Sequence, residues 1–202
     1  MLIEIHPQNP QHRLINQIIK VLESGGIIAY PTDSGYCLGC ASGNKKGMER
    51  ISKIRNISKN HNWTLMLKDL KSIATYAQVD NNAFRLLKKI TPGSWTFILP
   101  ATNKVPKILL NKRKTIGIRI SDNSIVQAIL TDFSEIVSVS LIIENYDFYD
   151  ILDVCNKVEN QVDLVIDGGY NPPQPTTVID LSCGGVDIIR VGGGNVDLIG
   201  LK

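Results

Sequence analysis

The chain has 202 residues, of which 43% are hydrophobic and 20% charged, the composition of a globular protein with a substantial core. Its net charge of +3 permits contact with phosphate or nucleic acid without demanding either. No apolar run approaches the roughly 20 residues of a membrane helix, and Met1 to Pro7 lacks the basic flank and apolar core of a secretory signal, so the expectation is a cytoplasmic protein with no membrane partner.

After an extended start, Leu14, Ile15, Ile18, Ile19 and Leu22 recur at helical spacing and predict an amphipathic helix from Gln11 to Glu23, stopped by Gly25-Gly26. The run Ile27 to Tyr30 predicts a strand. Pro31 presets its own φ and disfavours helix at Tyr30, so the strand is expected to end there in a sharp bend. A second helix from about Asn44 to Arg55 buries Met48, Ile51 and Ile54 and leaves Lys45, Lys46, Arg50, Lys53 and Arg55 on basic faces. Such a charge cluster is usually a solvated helix face; behind a turn-rich stretch it is also a candidate anion site.

Thr64 to Leu67 reads as a short buried strand. Asp69 and Asp80 are candidate N-caps for helices reaching Tyr76 and Ile90, the second with Phe84, Leu87 and Ile90 inward. Strands are predicted at 96–99, 115–120, 136–141, 162–167, 176–181 and 186–191, with helices at 125–130 and 151–158. The acidic-aromatic segment Glu144 to Asp150 interrupts the series.

Helices and strands interspersed over the whole length, with hairpin-type links near the end and no linker or repeat, indicate one α/β domain spanning 1–202 around a mixed sheet. Neither a Walker phosphate loop nor a G-x-G-x-x-G opening a helix is present. Cys37 and Cys40 form the single C-x-x-C pair. With no second pair or histidine pair to complete a zinc site, the thiols read as small buried hydrophobes rather than a metal or redox centre.

The stretch Tyr30-Pro31-Thr32-Asp33-Ser34-Gly35-Tyr36 resembles the YPTDTxYGLG signature of the YrdC-like family, and Lys53-Ile54-Arg55 its K-x-R. Pro92-Gly93-Ser94-Trp95-Thr96, Thr115-Ile116-Gly117-Ile118-Arg119, Pro175-Thr176-Thr177-Val178-Ile179-Asp180 and Ile189-Arg190-Val191-Gly192 follow in the family's order, over about residues 12–195. The resemblance implies a YrdC/RibB-like domain: a twisted, mixed, largely antiparallel open sheet with helices around a large basic concave cleft. It also implies a threonylcarbamoyl-AMP synthase-like nucleotidyltransferase. Such an enzyme joins L-threonine, bicarbonate and ATP, the last as its Mg2+ complex, to give threonylcarbamoyl-AMP and pyrophosphate for the threonylcarbamoyl-adenosine modification of tRNA.

Carried over by position, the resemblance places Thr32, Arg119, Ser140 and Thr176 at the threonine substrate. It places Lys53, Arg55, Thr115 and Arg190 at the nucleotide, with Lys53 and Arg55 as the catalytic cations. The residue types suit the chemistry, because displacement of pyrophosphate moves negative charge that fixed cations stabilise. The competing reading of the small hydroxyls is a bond to local backbone near strand ends.

The chain departs from the pattern at Ser140-Leu141-Ile142, where the family has S-x-N, and at Asn56, where it has proline. These departures, with His61-Asn62-Trp63-Thr64-Leu65-Met66, are more similar to the YciO branch. An alternative function is a non-catalytic protein binding double-stranded RNA or tRNA through the same basic cleft.

Overall fold

The protein is described by a computed structural model covering residues 1–58, 61–143 and 148–200. The Glu144 to Asp150 interruption thus lies partly outside the described residues. Six α-helices are seen among the described residues: α1 (His12–Glu23), α2 (Lys45–Ile54), α3 (Leu70–Tyr76), α4 (Asn81–Ile90), α5 (Ser124–Asp132) and α6 (Ile151–Val158). The carboxylates of Asp69, Asp80 and Asp150 and the amide oxygens of Asn44 and Asn123 accept backbone N–H groups at five of the helix starts, satisfying donors that the first turn leaves orphaned.

The strands are β1 (Leu2–Glu4), β2 (Ile27–Thr32), β3 (Gly35–Ala41), β4 (Thr64–Leu67), β5 (Trp95–Pro100), β6 (Thr115–Arg119), β7 (Glu135–Ser140), β8 (Leu164–Asp167), β9 (Thr177–Asp180) and β10 (Asp187–Arg190). They form one sheet in the order β1-β8-β2-β3-β7-β4-β6-β5-β9-β10. Five neighbouring pairs are antiparallel and four parallel, so the sheet is mixed with a narrow antiparallel majority. No helix among the described residues is long and apolar enough to cross a membrane.

Strand alternation divides the buried residues between the two faces. On one face α2, α3, α4 and α6 pack Met48, Ile51, Ile73, Leu87 and Val154 against Leu38, Leu65, Phe97, Ile118 and Ile179. On the other, α1 and α5 pack Ile15, Ile18, Leu22, Val126 and Ile129 against Ile28, Tyr30, Cys37, Met66 and Ile136. Those two helices reach the sheet only as far as β4 and β7. Beyond them, the same face of β6, β5, β9 and β10 is left open.

Two expectations need correction. The strand does not end at Pro31. It runs to Thr32 and returns through β3 as a hairpin whose turn is Asp33-Ser34, with Pro31 paired opposite Tyr36. The parallel partner β8 reaches only as far as Ala29 on its side of β2, so the missing N–H of Pro31 costs no ladder bond there. Phe84 is 47% exposed, because the buried stripe of α4 runs through Ala83, Leu87 and Ile90 and leaves position 84 about 100° to the side.

Candidate functional site

The open half of the sheet is the floor of a cleft of about 500 Å³. Met66, on the α1/α5 face, pairs with Arg119 in register, so alternation brings Thr115, Gly117 and Arg119 of β6 to that same face. Thr64, Thr96, Ile98, Val178, Ser138 and Ser140 join them from the neighbouring strands. One face of these strands is therefore polar, while their alternate residues Ile116, Ile118 and Phe97 are core. A Cβ on Gly117 would lie 3.1 Å from Thr64 Oγ1 and 3.2 Å from the Trp63 carbonyl, so glycine lets the floor pass close beneath the 61–64 segment.

At the inner end sits a buried ion pair. Arg119 Nη2 donates to Asp33 Oδ1 at 2.7 Å and Nη1 to Ser34 Oγ at 2.8 Å. The Ser34 hydroxyl is 3.1 Å from Thr32 Oγ1, and Thr32 donates to the Gly35 carbonyl at 2.7 Å. Ser121 donates to the same Asp33 oxygen. The hairpin turn thus holds the arginine by its fork. Arg119 Nε and Asp33 Oδ2 stay buried without partners. Asp122 is pushed above the usual carboxylate range by burial first and then by the nearby Asp33 charge.

Four arginines line the cleft: Arg55, Arg113, Arg119 and Arg190. No lining residue among those described is a carboxylate. Two of the arginines are neutralised from behind, Arg119 by Asp33 and Arg113 by Asp180 at 2.9 Å. Among the described residues Arg190 bonds only Thr176, through its carbonyl at 3.0 Å and its hydroxyl at 3.2 Å. Arg55 has no ion-pair partner among the described residues, its Nε is buried and unpartnered, and burial lowers its pKa without approaching neutrality. Arg55 and Arg190 are the two lining arginines without a carboxylate partner among the described residues. His61 shares the cleft lining with Arg55 and stands edge-on to Trp63 at 5.9 Å, its pKa held below the ordinary value by burial first and then by the Arg55 charge.

Of the residues expected at the site, Arg55, Thr115, Arg119, Ser140, Thr176 and Arg190 all line the cleft. Lys53 does not; it is exposed on α2 outside the lining. Thr32 is 1% exposed behind Arg119, its hydroxyl committed to the local backbone bond that was the competing reading. Ile142, in place of the family's asparagine, is 47% exposed and lines the cleft. Sequence reasoning gave Asp33 and Ser34 only a general capacity to hydrogen-bond backbone or a ligand, and assigned no role to Arg113, Asp180 or His61. For Asp33 and Ser34 a signal existed, since an arginine buried among Ile116, Ile118 and Ile120 requires a partner, and the adjoining motif holds an aspartate. Cys37 and Cys40 fall on opposite faces of β3, in different core clusters, and burial pushes the Cys40 thiol up to about 12.

An arginine-lined cleft with no carboxylate in its described lining has the chemistry to hold an anionic ligand. The Sua5_yciO_yrdC family profile, described as telomere recombination, matches residues 20–192. The chain belongs to this family. It is 50% identical over 196 residues, 95% of each chain, to the uncharacterized protein YciO of Escherichia coli strain K12. The crystal structure of E. coli YciO superposes with a TM-score of 0.93 at 47% identity, covering 98% of both chains. A threonylcarbamoyl-AMP synthase from Coxiella burnetii is 26% identical over 181 residues, 88% of this chain and 96% of its own. Sua5 of P. abyssi, crystallised with L-threonine, shares the fold at a TM-score of 0.89 and 21% identity, over 98% of this chain and 59% of that one.

Proposed function

We propose that the cleft binds ATP and L-threonine and joins them with bicarbonate, giving threonylcarbamoyl-AMP and pyrophosphate for tRNA modification. The observation that carries this reading is the convergence of Arg55 and Arg190, both without a carboxylate partner among the described residues, on a cleft without acidic lining. In the reaction the threonine amine and bicarbonate combine to a carbamate with loss of water. A carbamate oxygen then attacks the α-phosphorus, and the α–β P–O bond breaks with its electron pair leaving on pyrophosphate. Arg55 and Arg190 stabilise that departing charge, and Thr115 supports the nucleotide.

Arg119, at the inner end of the cleft, receives the threonine carboxylate through guanidinium N–H groups that the hairpin does not take. Ser140 and Thr176 supply hydroxyls, and Thr32 acts by holding the turn that fixes Arg119. Magnesium arrives on the ATP phosphates as part of the substrate, in keeping with a described lining that has no carboxylate ligand. Calorimetric titration tests the reading: ATP and L-threonine each bind the protein, and failure of ATP to bind at millimolar concentration contradicts it.

A second reading, RNA binding, is favoured by Lys45, Lys46 and Lys53, which are exposed on α2 outside the cleft. Binding of double-stranded RNA or tRNA would then weaken steeply with salt as counterions are released. Binding that ignores salt, or none at low salt, contradicts it.

A further inference from the structure

We propose that Arg55 and His61 form one polyphosphate subsite in which the His61 imidazole takes up a proton as the anion binds, an inference that rests on the nucleotide reading above. Both residues line the cleft. The Arg55 Nε is buried and has no partner among the described residues, and the guanidinium has no ion-pair partner there. The His61 ring packs edge-on against Trp63, and neither ring nitrogen has a hydrogen-bond partner among the described residues. A guanidinium and an imidazole that line one cleft, neither with a hydrogen-bond partner among the described residues, offer several N–H donors to one anion.

Before a ligand arrives, burial and the Arg55 charge both disfavour imidazolium and hold His61 below its ordinary value. Arg55, at the C-terminus of α2, is the charged group that acts on it. Across the cleft, Arg113 and Arg119 are paired with Asp180 and Asp33, Arg190 is bonded to Thr176, and no described lining residue is acidic. A bound polyphosphate brings the missing negative charge. It offsets Arg55 and accepts from the ring, so the imidazole gains a proton from solvent and becomes a further cation of the subsite. By linkage, whatever factor the anion adds to proton affinity the proton adds to anion affinity, tenfold for each unit.

The chain has three histidines, and His6 and His12 lie near its start, so ring NMR resolves the relevant one. The midpoint of His61 is followed by long-range 1H–15N spectra without ligand and with saturating inorganic pyrophosphate, with H61Q assigning the signal. The expected result is an upward shift of about one unit or more on pyrophosphate, with His6 and His12 unmoved. Between the two midpoints, pyrophosphate affinity should rise by up to about tenfold per unit fall in pH, relative to H61Q. The H61Q variant carries only the titration of the ligand itself. A His61 midpoint that stays put while pyrophosphate is bound overturns the proposal, as does failure of millimolar pyrophosphate to bind. The synthase reading stands or falls separately, on product formation that requires threonine and bicarbonate.

Discussion

Arg119 and Asp33, 86 residues apart in sequence, meet at 2.7 Å with side chains only 5% and 6% exposed, and this pair ties the β2–β3 hairpin to the floor of the cleft. Removing one member strands a largely buried charge without its partner. Asp33→Ala should therefore cost about 3–5 kcal/mol in urea unfolding. Replacing both members with apolar residues should cost distinctly less than the two single changes summed, since neither charge is then left alone. Additive losses would mean the pair is not coupled.

Arg55 and Arg190 should separate function from stability. Neither has a carboxylate partner among the described residues, so Arg55→Ala and Arg190→Ala should leave the urea midpoint nearly unchanged. Each should slow pyrophosphate release by about 10- to 150-fold, the value of one charge-assisted hydrogen bond of about 1.5–3 kcal/mol. Arg113→Ala should slow it less, because that guanidinium is already spent on Asp180 and Ser182.

These contrasts mark what could be read from the sequence. The 3.6-residue spacing of α1 and the caps Asp69 and Asp80 were legible because local periodicity and side-chain capping decide them. The Asp33-Ser34 turn was not, because Pro31 signals a break that holds only where a neighbouring strand needs its N–H, and β8 stops at Ala29. Motif order located six cleft residues. It could not show that Arg119 and Arg113 are already paired, since Asp33 and Asp180 reach them only through the strand order. Thr32 carries the family signature yet turns its hydroxyl to its own hairpin, which spacing alone cannot distinguish from facing a ligand.

Ile142 offers a gain rather than a loss. It is 47% exposed in the lining, where the family pattern has asparagine. Ile142→Asn should change stability by no more than about 0.5 kcal/mol, as surface substitutions do. The amide should tighten ATP binding by about 2- to 10-fold, equivalent to a net hydrogen bond of about 0.5–1.5 kcal/mol. Calorimetry on the two proteins decides it, and unchanged or weaker binding would remove Ile142 from the nucleotide wall.

Gly192 backs the cleft from behind Thr176. A Cβ there would stand 2.1 Å from the Pro175 carbonyl and 2.7 Å from Thr176 backbone atoms, so relief requires moving main chain rather than a side-chain tip. Its N–H also donates to Thr177 Oγ1 at 2.9 Å. Gly192→Ala should cost about 1–3 kcal/mol, the usual range for overpacking. It should weaken L-threonine binding as Thr176 shifts, while a stable variant with unaltered binding would show Gly192 to be free of the site.

The measurement that bears most directly on the function of this cleft is pyrophosphate release from ATP, assayed with threonine and bicarbonate each present or withheld. Release that requires both, and that falls with Arg55→Ala, is the predicted result. Release that continues equally when either is withheld would contradict it.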